Sequence, residues 1–115
     1  MNETKTIEYL RNLKGVSGVF ITDDHGNLIA SKMPEIYDDS ILAEIASGAS
    51  NILETFKTEI ENCRELKLSL ELKTLYIREA EKALIFVVVD SDDHIDNLRI
   101  ASNVAAKRLE LTGAQ

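Results

Sequence analysis

The first apolar recurrence along the chain is Ile7, Leu10 and Leu13, with Tyr9 beside them. A spacing of three predicts a short helix with one apolar face. Thr4 or Thr6 is its expected cap, and Gly15 behind Lys14 its expected stop. The period then changes. Residues 16–22 are rich in β-branched and aromatic side chains, 23–27 are turn formers, and 28–31 are apolar again. That order predicts a hairpin, with Gly26 supplying a positive φ in the turn. Pro34, lacking an N–H for a ladder, ends the second strand. Asp38, Asp39 and Ser40 offer cap oxygens to a long helix. Its apolar set is Ile41, Leu42, Ile45, Ala46, Ala49, Ile52, Leu53, Phe56 and Ile60. These positions fill an arc of about 140°, wider than a strict coiled-coil seam.

Residues 65–73 alternate apolar and polar without error, which predicts a half-buried strand of that whole length. Residues 74–78 form a further strand, 79–82 a polar turn, and 83–89 a run that is apolar on both faces. A run of that kind belongs in the middle of a sheet covered on both sides. Ser91, Asp92 and Asp93 then cap a last helix carrying Ile95, Leu98, Ala101, Ala105 and Leu109, with Lys107 and Arg108 in its final turns. The predicted order is α-β-β-α-β-β-β-α. Short turns join successive strands, so the class is α+β with a largely antiparallel sheet and helices on both faces.

A chain of 115 residues is expected to form one domain, 1–115. Twenty acidic residues against thirteen basic ones give a net charge of -7. That balance argues against a nucleic-acid binder, which needs a basic face, and against docking on an anionic membrane. The chain has no apolar run of membrane-spanning length and no signal-peptide pattern. The single Cys63 cannot form an internal disulfide, and a cytoplasmic location is the expectation.

Catalytic chemistry is sparse. Neither common phosphate-binding glycine motif is present. His25 and His94 lie among acids, far in sequence from Cys63, with no metal-ligand spacing; His94 reads as an exposed residue of a helix's first turn. A calcium loop starting at Asp90 would need Gly and Glu where Ile95 and Ala101 stand. Cys63 has no histidine nearby in sequence, and no nucleophile elbow exists. No enzyme, cofactor or metal is expected.

The hairpin GVFITDDHGNLIAS at 18–31, the long helix after it, and the late LIFVVVD strand followed by an acidic helix resemble the roadblock/dynein light-chain family. The resemblance runs from about Lys5 to Leu111. It implies a roadblock/longin-like fold with strand order 2-1-5-4-3, the long helix on one face and the terminal helices on the other. It also implies a homodimer without catalytic residues of its own, a regulator or scaffold of Ras-like small GTPases. Such a regulator can act by moving the GTPase's own switch loops. Arg64 and Arg78 could serve as donors to a GTPase, but each reads more simply as a surface ion-pair partner. The alternative is a small-molecule sensor domain, which would need a sizeable apolar pocket.

Two surfaces are expected to form the dimer. One flank of the long helix carries Ile41, Gly48, Ile52 and Thr55. Gly48 costs the helix roughly 1 kcal/mol against Ala, which a close approach by another helix would explain. The second is the alternating strand, which the resemblance puts at the sheet's edge. Pairing two copies antiparallel about Ser69 sets Glu65 opposite Lys73 and Lys67 opposite Glu71, with leucines opposite leucines on the other face.

Overall fold

The computed structural model describes residues 2–59, 64–90 and 94–113. Ile60, Cys63 and the expected cap Ser91, Asp92 and Asp93 lie outside the described residues. Helix α1 (Glu3–Arg11) is followed by strands β1 (Val16–Asp23) and β2 (Leu28–Lys32), then helix α2 (Asp39–Glu59). Strands β3 (Glu65–Ser69), β4 (Thr74–Ala80) and β5 (Ala83–Val89) precede helix α3 (Ile95–Gly113). The five strands form one sheet in the order β2-β1-β5-β4-β3, and every neighbouring pair is antiparallel. The apolar run at 83–89 is therefore the central strand.

Local chemistry explains most element ends. Asn2, rather than Thr4 or Thr6, caps α1: its Oδ1 accepts from Lys5 N–H at 2.9 Å. Thr6 is instead buried, its hydroxyl donating to the Asn2 carbonyl at 2.8 Å. The β1–β2 turn is organised by Asp23, whose Oδ1 accepts from the N–H groups of His25 and Asn27, each at 2.9 Å. Gly26 holds φ +87 there. Asp38 caps α2 by accepting from Ile41 N–H at 2.9 Å. His94 precedes α3, accepting from Leu98 N–H, and is half-buried rather than exposed.

Two strands differ in length from the sequence expectation. β4 runs on to Ala80, which is buried, so the turn to β5 shrinks to Glu81 and Lys82. β3 stops at Ser69. Its register with β4 runs from Glu65↔Arg78 to Ser69↔Thr74, so the chain must reverse within residues 70–73. Leu70 N–H donates to the Lys73 carbonyl at 2.7 Å and closes that reversal. Leu70 and Leu72 are 60% and 84% exposed in the turn instead of lining a strand face.

The core lies on both faces of the sheet. On one face α1 and α3 contribute Ile7, Leu10, Leu98, Ala101, Ala105 and Leu109, which pack against Val19, Ile21, Tyr76, Ile85 and Val87. On the other, Leu42, Ala46, Ala49 and Leu53 of α2 pack against Phe20, Ile77 and Phe86. Phe20 and Phe86 are cross-strand partners with stacked rings, 4.4 Å between centroids.

Candidate functional site

The α2 helix buries only part of its apolar arc. The four buried residues, Leu42, Ala46, Ala49 and Leu53, make a narrow strip against the sheet. Beside it Ile41, Ile52 and Phe56 remain 39%, 37% and 39% exposed, Ile45 is half-buried, and Thr55 is exposed. The series 41, 45, 48, 52 and 55 or 56 steps by four and three, the spacing of a seam that meets a second helix. Gly48 sits in its middle. A Cβ built on Gly48 would meet nothing within 4 Å. No contact among the described residues therefore requires glycine there. The structure brings Ile41, Gly48, Ile52 and Thr55 onto one exposed flank.

The sheet edge is the second surface. β3 pairs with β4 only, so its outer side carries no strand among the described residues. Leu66 and Leu68 turn towards the α2 face, where they pack at the margin of its core. Glu65 points to the opposite face and is tied into the fold. The Tyr76 hydroxyl donates to Glu65 Oε2, and Arg99 Nη2 of α3 donates to Oε1 at 2.9 Å. Burial works against ionisation of Glu65, but these two donors and the arginine charges outweigh it and hold the carboxyl below its usual value. Tyr76 is held well above its ordinary value by burial first and then by its bond to Glu65.

This arrangement overturns the pairing about Ser69. Each of its charged rungs needs Glu71 or Lys73 on a strand, and both lie in the 70–73 turn. Lys73 already donates to Asp90 at 2.6 Å, a bond that holds Asp90 below its usual value. Glu65 is committed to Tyr76 and Arg99. The shorter strand has its midpoint at Lys67.

Arg64 is, as expected, an ion-pair partner, 3.8 Å from Glu79, which also accepts from Lys57. Arg78 is not a surface residue: it is 7% exposed, and its three hydrogen-bond acceptors are neutral oxygens. Neither this burial nor the Tyr76–Glu65–Arg99 chain has a local sequence signal, since the partners come from β3, β4 and α3. Among the described residues no group of three or more His, Cys, Asp and Glu side chains converges as a metal site. No described helix is long and apolar enough to cross a membrane.

The family model described as Roadblock/LC7 domain matches residues 4–90. A Roadblock/LC7 domain from Streptomyces avermitilis superposes with a TM-score of 0.83 at 10% identity, covering 100% of both chains. The gliding protein MglB from Thermus thermophilus gives a TM-score of 0.79 at 17% identity, over 94% of this chain and 85% of that one. A structure described as MglB with tetrameric arrangement gives 0.75 at 22% identity, with the same coverage. At these identities the likeness is one of fold. No curated protein sequence matches the chain.

Proposed function

The chain belongs to the Roadblock/LC7 family, and from that premise we propose that it is a homodimeric, non-enzymatic regulator or scaffold of a Ras-like small GTPase, acting in the cytoplasm. The observation that carries the self-association is the exposed apolar flank of α2 with the open Gly48 at its centre. Two copies of α2 crossing antiparallel at Gly48 bring Ile41 near Phe56 of the partner helix and Ile45 near Ile52. Large residues meet large ones, and the backbones approach closely where there is no side chain. The tetrameric arrangement named for one MglB structure fits a fold that associates with itself.

The β3 edge is the secondary contact. With rungs limited to Glu65–Ser69, a two-fold axis at the strand's midpoint sets Lys67 against its own copy. Like charges directly opposite are unfavourable by roughly 0.2–1 kcal/mol, so the helix seam supplies the main attraction. Ile41, Gly48, Ile52 and Thr55 form the centre of the interface, Glu65, Lys67 and Ser69 its strand edge, and Glu71 and Lys73 the adjoining turn.

The GTPase reading rests on the family and on the poverty of catalytic groups in the sequence. It is tested by pull-down with Ras-like GTPases loaded with GDP or a non-hydrolysable GTP analogue. The expected result is capture that depends on the nucleotide, with no GTP binding or hydrolysis by this chain alone. Micromolar binding of GTP to the isolated chain in calorimetry would end this reading.

A further inference from the structure

Arg78 lies in β4, and its burial is chemically incomplete. Nη1 donates to the carbonyls of Arg64 and Glu79 at 3.3 and 3.1 Å, and Nη2 to Asn103 Oδ1 of α3 at 2.7 Å. A guanidinium carries five N–H donors, so Nε and one Nη2 hydrogen make no hydrogen bond to the described residues, and Nε is not sealed off from solvent but faces the groove beside it. No carboxylate among the described residues lies within ion-pair distance of it. Glu65 influences it through space but makes its contacts with Tyr76 and Arg99. A buried cation without a contact counter-ion is unfavourable unless something else supplies the charge.

Arg78 lines an open groove of about 560 Å³ between the start of β3 and α3. Arg64 stands on the strand side and Arg99 and Asn103 on the helix side, with Glu65 and Asp96 also at the wall. Three arginines face two acids in a chain whose net charge is -7. Ile100, 66% exposed, adds an apolar flank. The volume is that of a small-molecule cleft. Its deepest cation is recessed, so a compact group that enters the groove reaches it more readily than a side chain presented on a flat protein surface. Guanidinium groups pair with planar carboxylates and with phosphates through two parallel N–H bonds.

We propose that this groove binds a small-molecule oxyanion, a phosphate or carboxylate group, with Arg78 and Arg99 as its ligands and Asn103 holding Arg78 in place. The groove lies on the α3 side of the sheet, away from the α2 seam, and its test needs no partner protein. The full chain is titrated by calorimetry with sodium phosphate and, separately, with sodium succinate, at constant ionic strength. The expected result is saturable binding of at least one anion, weakened by added sodium chloride. Which anion binds identifies the phosphate or the carboxylate as the natural group. Arg99→Gln should weaken binding at least tenfold, Arg78→Gln should abolish it and Arg78→Lys restore part of it, while Lys5→Gln on α1 changes nothing. Circular dichroism checks that each variant is folded. If Arg78→Gln does not fold, the Arg99→Gln and Lys5→Gln pair decides. Absence of saturable binding by both anions overturns the proposal, as does an affinity unchanged in Arg99→Gln. Binding of a Glu-rich peptide by a chain that ignores both small anions also overturns it, and makes the groove a protein-docking surface.

Discussion

On one face of the sheet, α3 lays Leu98, Ala101, Ala105 and Leu109 against the strands, and α1 closes beside it with Ile7 and Leu10. On the other, α2 is the one helix among the described residues that covers the sheet, with a fully buried strip only one residue wide per turn and Met33 and Tyr37 of the β2–α2 connection packed beside it. Both helices are amphipathic in sequence. The difference is what lies next to the buried strip. α2 continues into the exposed apolar flank of Ile41, Ile52 and Phe56, whereas α3 has a helical neighbour, α1, in the same chain. An amphipathic arc states that a surface wants covering. It does not state whether the cover comes from the same chain.

The largest expected effect breaks the closed face. Leu98→Ala removes a buried side chain from the α3 strip and is expected to destabilise the fold by about 2–5 kcal/mol, read by urea denaturation. The loss should be seen at every protein concentration. A loss that vanishes in dilute samples would mean that this face, too, is completed by association.

Gly48→Leu tests the open face. The site has room for a side chain, and leucine is the better helix former by up to about 1 kcal/mol, so an isolated subunit should fold at least as well. Self-association should weaken at least tenfold in sedimentation velocity. A variant that stays fully dimeric at low concentration excludes the helix contact. Ile52→Ser should act in the same direction by removing an apolar contact of the seam while leaving Gly48 in place.

Glu65 joins the closed face to the sheet edge, and its titration sharpens the comparison. Its carboxyl is held below the ordinary value of 4.5, so its contribution is present above that pH and is lost as pH falls through the lower, folded value. Glu65→Gln should flatten this acid limb of stability, read as melting temperature against pH. The effect should be under about 1 kcal/mol, because the carboxylate is partly exposed and screened. An acid limb identical in the variant would show that the Tyr76–Glu65–Arg99 chain does not persist in solution. Smallest of all, Lys73→Ala removes an exposed, solvent-screened pair with Asp90 and should leave the melting temperature essentially unchanged. A clear fall would show that the 70–73 turn depends on it.

The elements and their order were legible because period and turn chemistry agree. Gly26 with Asp23 marks the first hairpin, and the two-sided apolar run at 83–89 marks the centre of the sheet. The end of β3 was not legible. Its turn, Leu70-Glu71-Leu72-Lys73, contains no Gly, Pro, Asn or Asp, and it continues the strand's alternation without a break. Only pairing with β4 decides where the chain reverses. The exposed flank of α2 was legible as chemistry through Gly48, though not as a boundary between buried and open positions. The position of Arg78 was not, because its surroundings come from the start of β3 and from α3, far along the chain.

The pairing of β1 with β5 has a consequence in time. Val16↔Val89 and Asp23↔Ala83 join residues separated by more than half the chain. The β1–β2 hairpin and the β3–β4–β5 meander are each wired locally, and this one ladder welds them. During synthesis the first hairpin leaves the ribosome with its inner edge unpaired until β5 has followed. Closing so long a loop is entropically expensive and returns nothing until the rungs form. The β1–β5 ladder is thus the costliest of the four to close, and the two locally wired halves meet only through it.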